Sequence, residues 1–286
     1  MFGICSHFSQ SAKNPQEELR MMKVERFFVC ALFAIATLLA TGSASAQSPL
    51  DGTWHVMLNQ AKFSPKPWIF YLSQGWYHCV TCNPTIDVQA DGQDHVVSGQ
   101  PFDTMSVRDV DATTISITTK KGGATVYEET DTVSKDGKTL TNKGIFHPVN
   151  GGAPVTSSGT SARVGIAPSA VHATSGSWRA DKVQASDNGL TFTYKSNGDE
   201  ITMTDPTGDS YTAKFDGNDY PVKGAYGWDA VSLKRTSKNT FEETDKLAGK
   251  VTGVSTITVS ADSKRMTVVS TDKITDRTST YVAVKH

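Results

Sequence analysis

Apolar and polar residues alternate one by one over many short stretches of the chain. One polar residue separates Met105 from Val107, Ile115 from Ile117, Val231 from Leu233 and Ile257 from Val259. A period of two is the signature of a strand with one face buried. Thr is abundant at the intervening positions, and β-branched side chains suit a pleated surface. Turn pairs punctuate the alternation at Asp91-Gly92, Asp136-Gly137, Asn150-Gly151, Asn188-Gly189, Asn197-Gly198 and Asp216-Gly217. Such pairs tolerate the positive φ of tight hairpins. No helical period is sustained beyond the first 46 residues. The pattern predicts an all-β chain of consecutive antiparallel hairpins.

The alternation also repeats on a longer scale. Asp91-Gly92-Gln93-Asp94 matches Asp216-Gly217-Asn218-Asp219 at an offset of 125 residues. From Asp103 against Asp229 the offset becomes 126, and it still holds at Thr132-Val133-Ser134 against Thr258-Val259-Ser260. Asp51-Gly52-Thr53-Trp54 opens one copy and Ser175-Gly176-Ser177-Trp178 the other. Thr160 to Val164 closes the first copy and Thr278 to Val282 the second. The expected organisation is a first β-barrel repeat at 47–164, a linker at 165–174 and a second β-barrel repeat at 175–286. Each would be an up-and-down antiparallel barrel of about eight strands, because closure removes the exposed edges of a meander. Flattened sandwiches, or one sheet shared by both copies, remain open. A lipid-embedded barrel needs longer strands with an apolar outer band and aromatic girdles; these short, Thr- and Lys-rich strands depart from that.

The leader changes the expected compartment. Lys23 and Arg26 precede an apolar run from Phe27 to Ala40, which ends in Ala44-Ser45-Ala46. That order reads as a signal-peptide helix over 21–46 within a leader at 1–46, followed by export to the periplasm or beyond. No stable membrane span is expected after cleavage, since no other segment approaches transmembrane length. Charge adds little: 28 basic against 29 acidic residues give a net charge of −1. A near-neutral chain lacks the electrostatic footprint of a nucleic-acid binder.

Gly52-x-Trp54 at the start of the first strand resembles the opening motif of the lipocalins, and Gly176-x-Trp178 repeats it. As a whole the chain is similar to exported bacterial proteins with tandem lipocalin-like repeats. The resemblance implies a barrel whose base is closed by the motif tryptophan, often under a basic residue of the last strand. Arg163 is the candidate for that basic residue in copy one. Copy two offers Tyr281 at the aligned place, a departure from the pattern. The resemblance brings no activity with it.

The most distinctive chemistry lies in Trp76-Tyr77-His78-Cys79-Val80-Thr81-Cys82. Cys79 and Cys82 suit a disulfide across a bend, since an extended strand would point them to opposite faces. Unpaired structural thiols, a redox pair or a metal site with His78 or His95 stay open as alternatives. Copy two has no cysteine, so the pair is not required by the fold. Trp68, Phe70, Tyr71, Trp76 and Tyr77 cluster in copy one and form either barrel core or the wall of a ligand pocket. Copy two carries the thinner set Phe192, Tyr194, Tyr226 and Trp228, which makes copy one the better expected binder. Glu128-Glu129 and Glu242-Glu243 read as solvated strand faces, because adjacent strand residues face opposite ways. No zinc-protease, nucleophile-elbow or phosphate-loop motif occurs. The expectation is a non-enzyme without cofactor or metal, binding a small apolar or amphipathic ligand. The alternative is a structural or protein-interaction module of the cell envelope, with an unknown protein partner.

Overall fold

The computed structural model describes residues 48–148, 150–225 and 227–286. The leader, with its expected signal helix, and Tyr226 lie outside the described residues. Copy one forms β1 (Gly52–Val56), β2 (Trp68–Ser73), β3 (Trp76–Cys79), β4 (Ile86–Gln89), β5 (His95–Val96), β6 (Thr104–Asp111), β7 (Thr114–Lys121), β8 (Ala124–Val133), β9 (Thr139–Phe146) and β10 (Val155–Val164). Copy two forms β11 (Gly176–Ala185), β12 (Thr191–Asn197), β13 (Glu200–Thr204), β14 (Ser210–Lys214), β15 (Asp216–Lys223), β16 (Ala230–Arg235), β17 (Thr240–Leu247), β18 (Lys250–Val259), β19 (Arg265–Asp272) and β20 (Arg277–Lys285). Two single-turn 3-10 segments interrupt them.

The chain is all-β, with two ten-stranded antiparallel sheets. The strand count corrects the expected eight. The extra strands are short: β3 and β4 hold four residues each and β5 two, too few to display an alternation. The alternating apolar positions of the long strands point inward. Ile115 and Ile117 of β7 face the core beside Met105 and Val107 of β6, through the pairs Met105↔Thr119 and Val107↔Ile117. Val231 and Leu233 of β16 do the same in the other sheet.

The two first strands are exchanged. β1 pairs with β12 and β20 of copy two, closing a barrel that runs β1-β12-β13 and onward to β20. β11 pairs with β10 and β2 of copy one, giving the order β4-β3-β2-β11-β10-β9-β8-β7-β6-β5. We call this second, barrel-like sheet barrel one and the closed sheet barrel two. Barrel one is therefore continuous in sequence from β2 to β11. Barrel two is split around it, with β1 supplied from the N-terminal side.

Barrel one carries no ladder between β4 and β5. The Asp91-Gly92 turn between them is instead held to β6, by an isolated bridge between Asp91 and Arg108 and a bond from Gly92 N–H to Val107 O (2.8 Å). In barrel two the corresponding β14 and β15 pair through Ser210↔Lys223 and Tyr211↔Val222.

Each barrel also rests on the final hairpin of the other. The β19–β20 connection reaches barrel one, where Ile274 O accepts from Asn83 Nδ2 (2.9 Å) and Arg277 Nη2 donates to Pro67 O (2.6 Å). The β9–β10 connection is held beside barrel two by Asn188 Nδ2, which donates to Ala153 O and Pro154 O at 3.1 Å each.

Candidate functional site

The doubled Gly-x-Trp motif builds the floor of each barrel. Trp54 and Trp178 are both fully buried. Their indole N–H groups donate to Leu50 O (2.7 Å) and Thr174 O (2.8 Å), so neither buried donor is orphaned. The Arg163 guanidinium lies 4.0 Å from the ring centroid of Trp178, and Lys285 Nζ lies 4.8 Å from that of Trp54. Such cation–π contacts are worth about 0.5–2 kcal/mol depending on desolvation. The motif glycine makes room for the cation. Gly52 and Gly176 have φ of +126° and +133°. A Cβ at Gly176 would sit 2.4 Å from Arg163 Nη1, and one at Gly52 3.1 Å from the Lys285 side chain.

Two expectations are corrected here. Arg163 covers Trp178, not Trp54, because β10 pairs with β11. Its counterpart over Trp54 is Lys285, not Tyr281, since Trp54 pairs with Lys285 as Trp178 pairs with Arg163. The hairpin joining β19 to β20 is shorter than that joining β9 to β10. That shortening shifts the repeat offset after β19 and displaced the sequence alignment at Tyr281.

Above each floor the barrel interior holds a cavity that opens to solvent. Cavity one, about 440 Å³, is walled by Trp68, Phe70 and Tyr77 with Met105, Ile117 and Trp178. Three of the five aromatics singled out from sequence thus line it. Tyr71 and Trp76 lie on the other face of their strands; Trp76 is 42 % exposed. Arg277, from the hairpin of barrel two, lies over the Trp68 ring at 4.9 Å. Cavity two, about 590 Å³, is walled by Phe192, Tyr194, Met203, Trp228, Met266 and Tyr281. Phe146 and Val155 enter its wall from barrel one. Of these two cavities the larger belongs to the barrel of copy two. A hollow of about 850 Å³ lies on the outer face of barrel one, among Thr118, Glu128, Thr130 and Lys143. Its wall is polar and holds no aromatic side chain, so the barrel interiors are the stronger sites.

Each cavity carries a pair of carboxyls spaced two residues apart on one strand. Glu129 and Asp131 of β8 line cavity one. Glu243 and Asp245 of β17 line cavity two. A tyrosine hydroxyl meets the glutamate in each: Tyr127 donates to Glu129, and Tyr211 to Glu243. Burial, and next the charge of Glu129, holds the Asp131 carboxyl well above the usual range. Burial and then Asp245 push Glu243 up to about 7, against the lowering effect of the Tyr211 hydrogen bond. Burial raises Asp245 to about 6. At the edge of cavity two, burial and the Asp205 charge raise Asp209 to about 6. Oδ1 of Asp131, Asp209 and Asp245 is buried without a hydrogen-bond partner.

The reading of Glu128-Glu129 and Glu242-Glu243 as solvated faces is right for Glu128, which is exposed, and wrong for Glu243. Adjacent residues do face opposite ways, but the relevant partner is two residues on. The signal was an apolar alternation continued by acids: Phe241, Glu243 and Asp245 share one face of β17.

Cys79 and Cys82 form a disulfide, and Cys82 N–H approaches Cys79 Sγ at 3.1 Å. It spans the bend after β3, with Cys82 at the cavity one wall. Among the described residues no group of three or more His, Cys, Asp or Glu side chains is placed to hold a metal ion. No helix among them is long and apolar enough to cross a membrane. No protein-family model matches the chain, and no curated protein matches it.

Proposed function

We propose that the protein is an exported, lipocalin-like carrier that binds small apolar or amphipathic molecules inside its barrels. The observation that carries this reading is the pair of interior cavities, about 440 and 590 Å³. Ligand pockets span roughly 300–1,000 Å³ and combine an apolar, aromatic wall with a few polar groups. A barrel that served only as a scaffold would fill such space, because interiors pack like organic crystals. Support for the lipocalin likeness comes from the cation-covered tryptophan at both barrel floors. The basic-apolar-small order of residues 21–46 and the Cys79–Cys82 disulfide support export to an oxidising compartment. The apolar side chains face inward and the outer faces carry Thr, Ser and Lys, the inverse of a lipid-embedded barrel.

Native mass spectrometry of protein purified from its own host tests the reading. A co-purifying mass of a few hundred daltons, released on denaturation, is expected. Spectra that stay empty across growth conditions, together with no uptake of added apolar probes, would abandon it.

A further inference from the structure

We propose that the barrel cavities select organic cations, apolar molecules carrying a protonated amine, with the ammonium seated between the carboxyls of the Glu-x-Asp pair. This rests on the carrier reading above and names the ligand class for it. The carrying observation is Asp131. Its side chain is only 4 % exposed, it faces cavity one, and its Oδ1 has no hydrogen-bond partner. A buried acceptor left unanswered costs about 1–3 kcal/mol, and more when charged. Its same-face neighbour Glu129 already accepts from Tyr127. Asp131 meets the Glu129 carboxyl, so the pair sets two acid groups side by side, and a positively charged donor seated between them would answer both; the basic side chains at this cavity are Lys182 at its rim and Arg277 over Trp68.

Cavity two repeats the arrangement from a different strand. The repeat register sets Glu243 against Ile117 and Asp245 against Thr119, through the matched pairs Leu233↔Glu243 and Val107↔Ile117. By the same register Glu129 and Asp131 stand against Ser255 and Ile257. The acid pair was thus not copied with the repeat. Each barrel holds its own, on β8 in one and on β17 in the other, although Ile, Thr or Ser occupies the same place in its sister. Cavity two is lined by Asp205, Asp209, Glu243 and Asp245, with no Lys, Arg or His among its walls. Cavity one has the exposed Lys182 at its rim and Arg277 over Trp68. The cation preference is accordingly stronger in cavity two.

The chemistry matches an ammonium. Carboxyls two apart on a strand stand about 7 Å apart at the backbone, and an ammonium offers three donors that converge on both. Tyr194 and Trp228 in cavity two, and Phe70 and Tyr77 in cavity one, present ring surfaces to a cation or its apolar body. A carboxylate ligand would meet repulsion from the same groups.

The test uses three probes of one chain length, decylamine, decanol and decanoate, titrated into the purified protein and read by tryptophan fluorescence and calorimetry. Decylamine should bind about tenfold or more tighter than decanol, with decanoate weakest. The double variants E129Q/D131N and E243Q/D245N should each reduce the amine-over-alcohol ratio and together bring it to one, while decanol binding persists. A second measurement needs no variant: wild-type affinity for decylamine should rise between about pH 5 and pH 8 while decanol stays flat. The titratable and charged groups facing the ammonium are Glu243, Asp245, Asp205, Asp209, Tyr194, Tyr211 and Tyr281 in cavity two, and Glu129, Asp131, Tyr77, Tyr127, Lys182 and Arg277 in cavity one. Equal binding of amine and alcohol at all pH values overturns the cation proposal and leaves the carrier reading standing. Binding of none of the three probes overturns both.

Discussion

Barrel one and barrel two follow one ten-strand plan, and their differences separate what the plan requires from what it tolerates. Both seat a foreign first strand between their second and last strands, and both bury its tryptophan under a basic side chain. Those features survive duplication because each depends on the others. The glycine admits the cation, the cation covers the ring, and the ring fills the barrel floor. The seam is free to vary: a ladder joins β14 to β15, whereas β4 and β5 share no ladder in barrel one. The strand that carries the acid pair varies too, yet each cavity keeps one. The plan thus fixes the floor and leaves the walls free to differ.

The exchange of first strands makes the sharpest prediction about the comparison. Trp54→Ala removes a fully buried ring from barrel two although Trp54 belongs to copy one; Trp178→Ala does the reverse. Each should cost about 3–5 kcal/mol. Hydrogen exchange followed by mass spectrometry should show W54A lowering protection across β12 to β20, and W178A across β2 to β10. Loss of protection within the copy that carries the substitution would mean that the strands are not exchanged.

Much of the architecture is legible in the alternation and the repeat, because both are local or register-preserving signals. The exchange is not. Gly52-x-Trp54 and Gly176-x-Trp178 have the same local pattern, so either sheet would accept either strand. The pairing of Trp54 with Lys285, at the far end of the chain, is set by which edge the connections can reach. The short Leu58–Gln60 turn and Lys62, which bridges Thr280, lead the chain out of barrel two and toward β2. The cavities were half legible. Trp68, Phe70 and Tyr77 were found by density of aromatics. Glu243 and Asp245 were hidden because charged residues usually mark solvent, and only their phase with Phe241 places them inside.

A second prediction concerns the acids and has a definite sign. Glu243 and Asp245 hold their protons more tightly in the folded chain than in the unfolded one. Their destabilising effect is absent below the unfolded carboxyl range near about pH 4 and grows as pH rises toward about 7. Stability of barrel two should therefore fall over that interval and level off above it. Glu243→Gln should raise stability at about pH 8 by on the order of 1–3 kcal/mol and change it little at about pH 4. Asp131→Asn should act in the same direction in barrel one, since burial raises Asp131 as well. Denaturant melts of the wild type and both variants at the two pH values check this; a gain confined to low pH would contradict the buried placement of the pair.

The smallest expected effect separates the barrels by a feature only one of them has. The Cys79–Cys82 bridge closes a loop with a sequence separation of three residues. Loop-closure entropy grows with loop length, so this bridge contributes about 2 kcal/mol or less. Barrel two turns the equivalent corner, between β13 and β14, without a bridge, using Asp205 to accept from the N–H groups of Thr207 (2.9 Å) and Asp209 (3.1 Å). The turn itself therefore does not need the covalent link. Reduction, or the double substitution of Cys79 and Cys82 by Ser, should lower protection only in β2 to β4 of barrel one. Cavity two should keep its ligand affinity unchanged, while cavity one, whose wall includes Cys82, should lose up to about tenfold. An equal loss in both cavities would mean that the two barrels bind as one coupled unit.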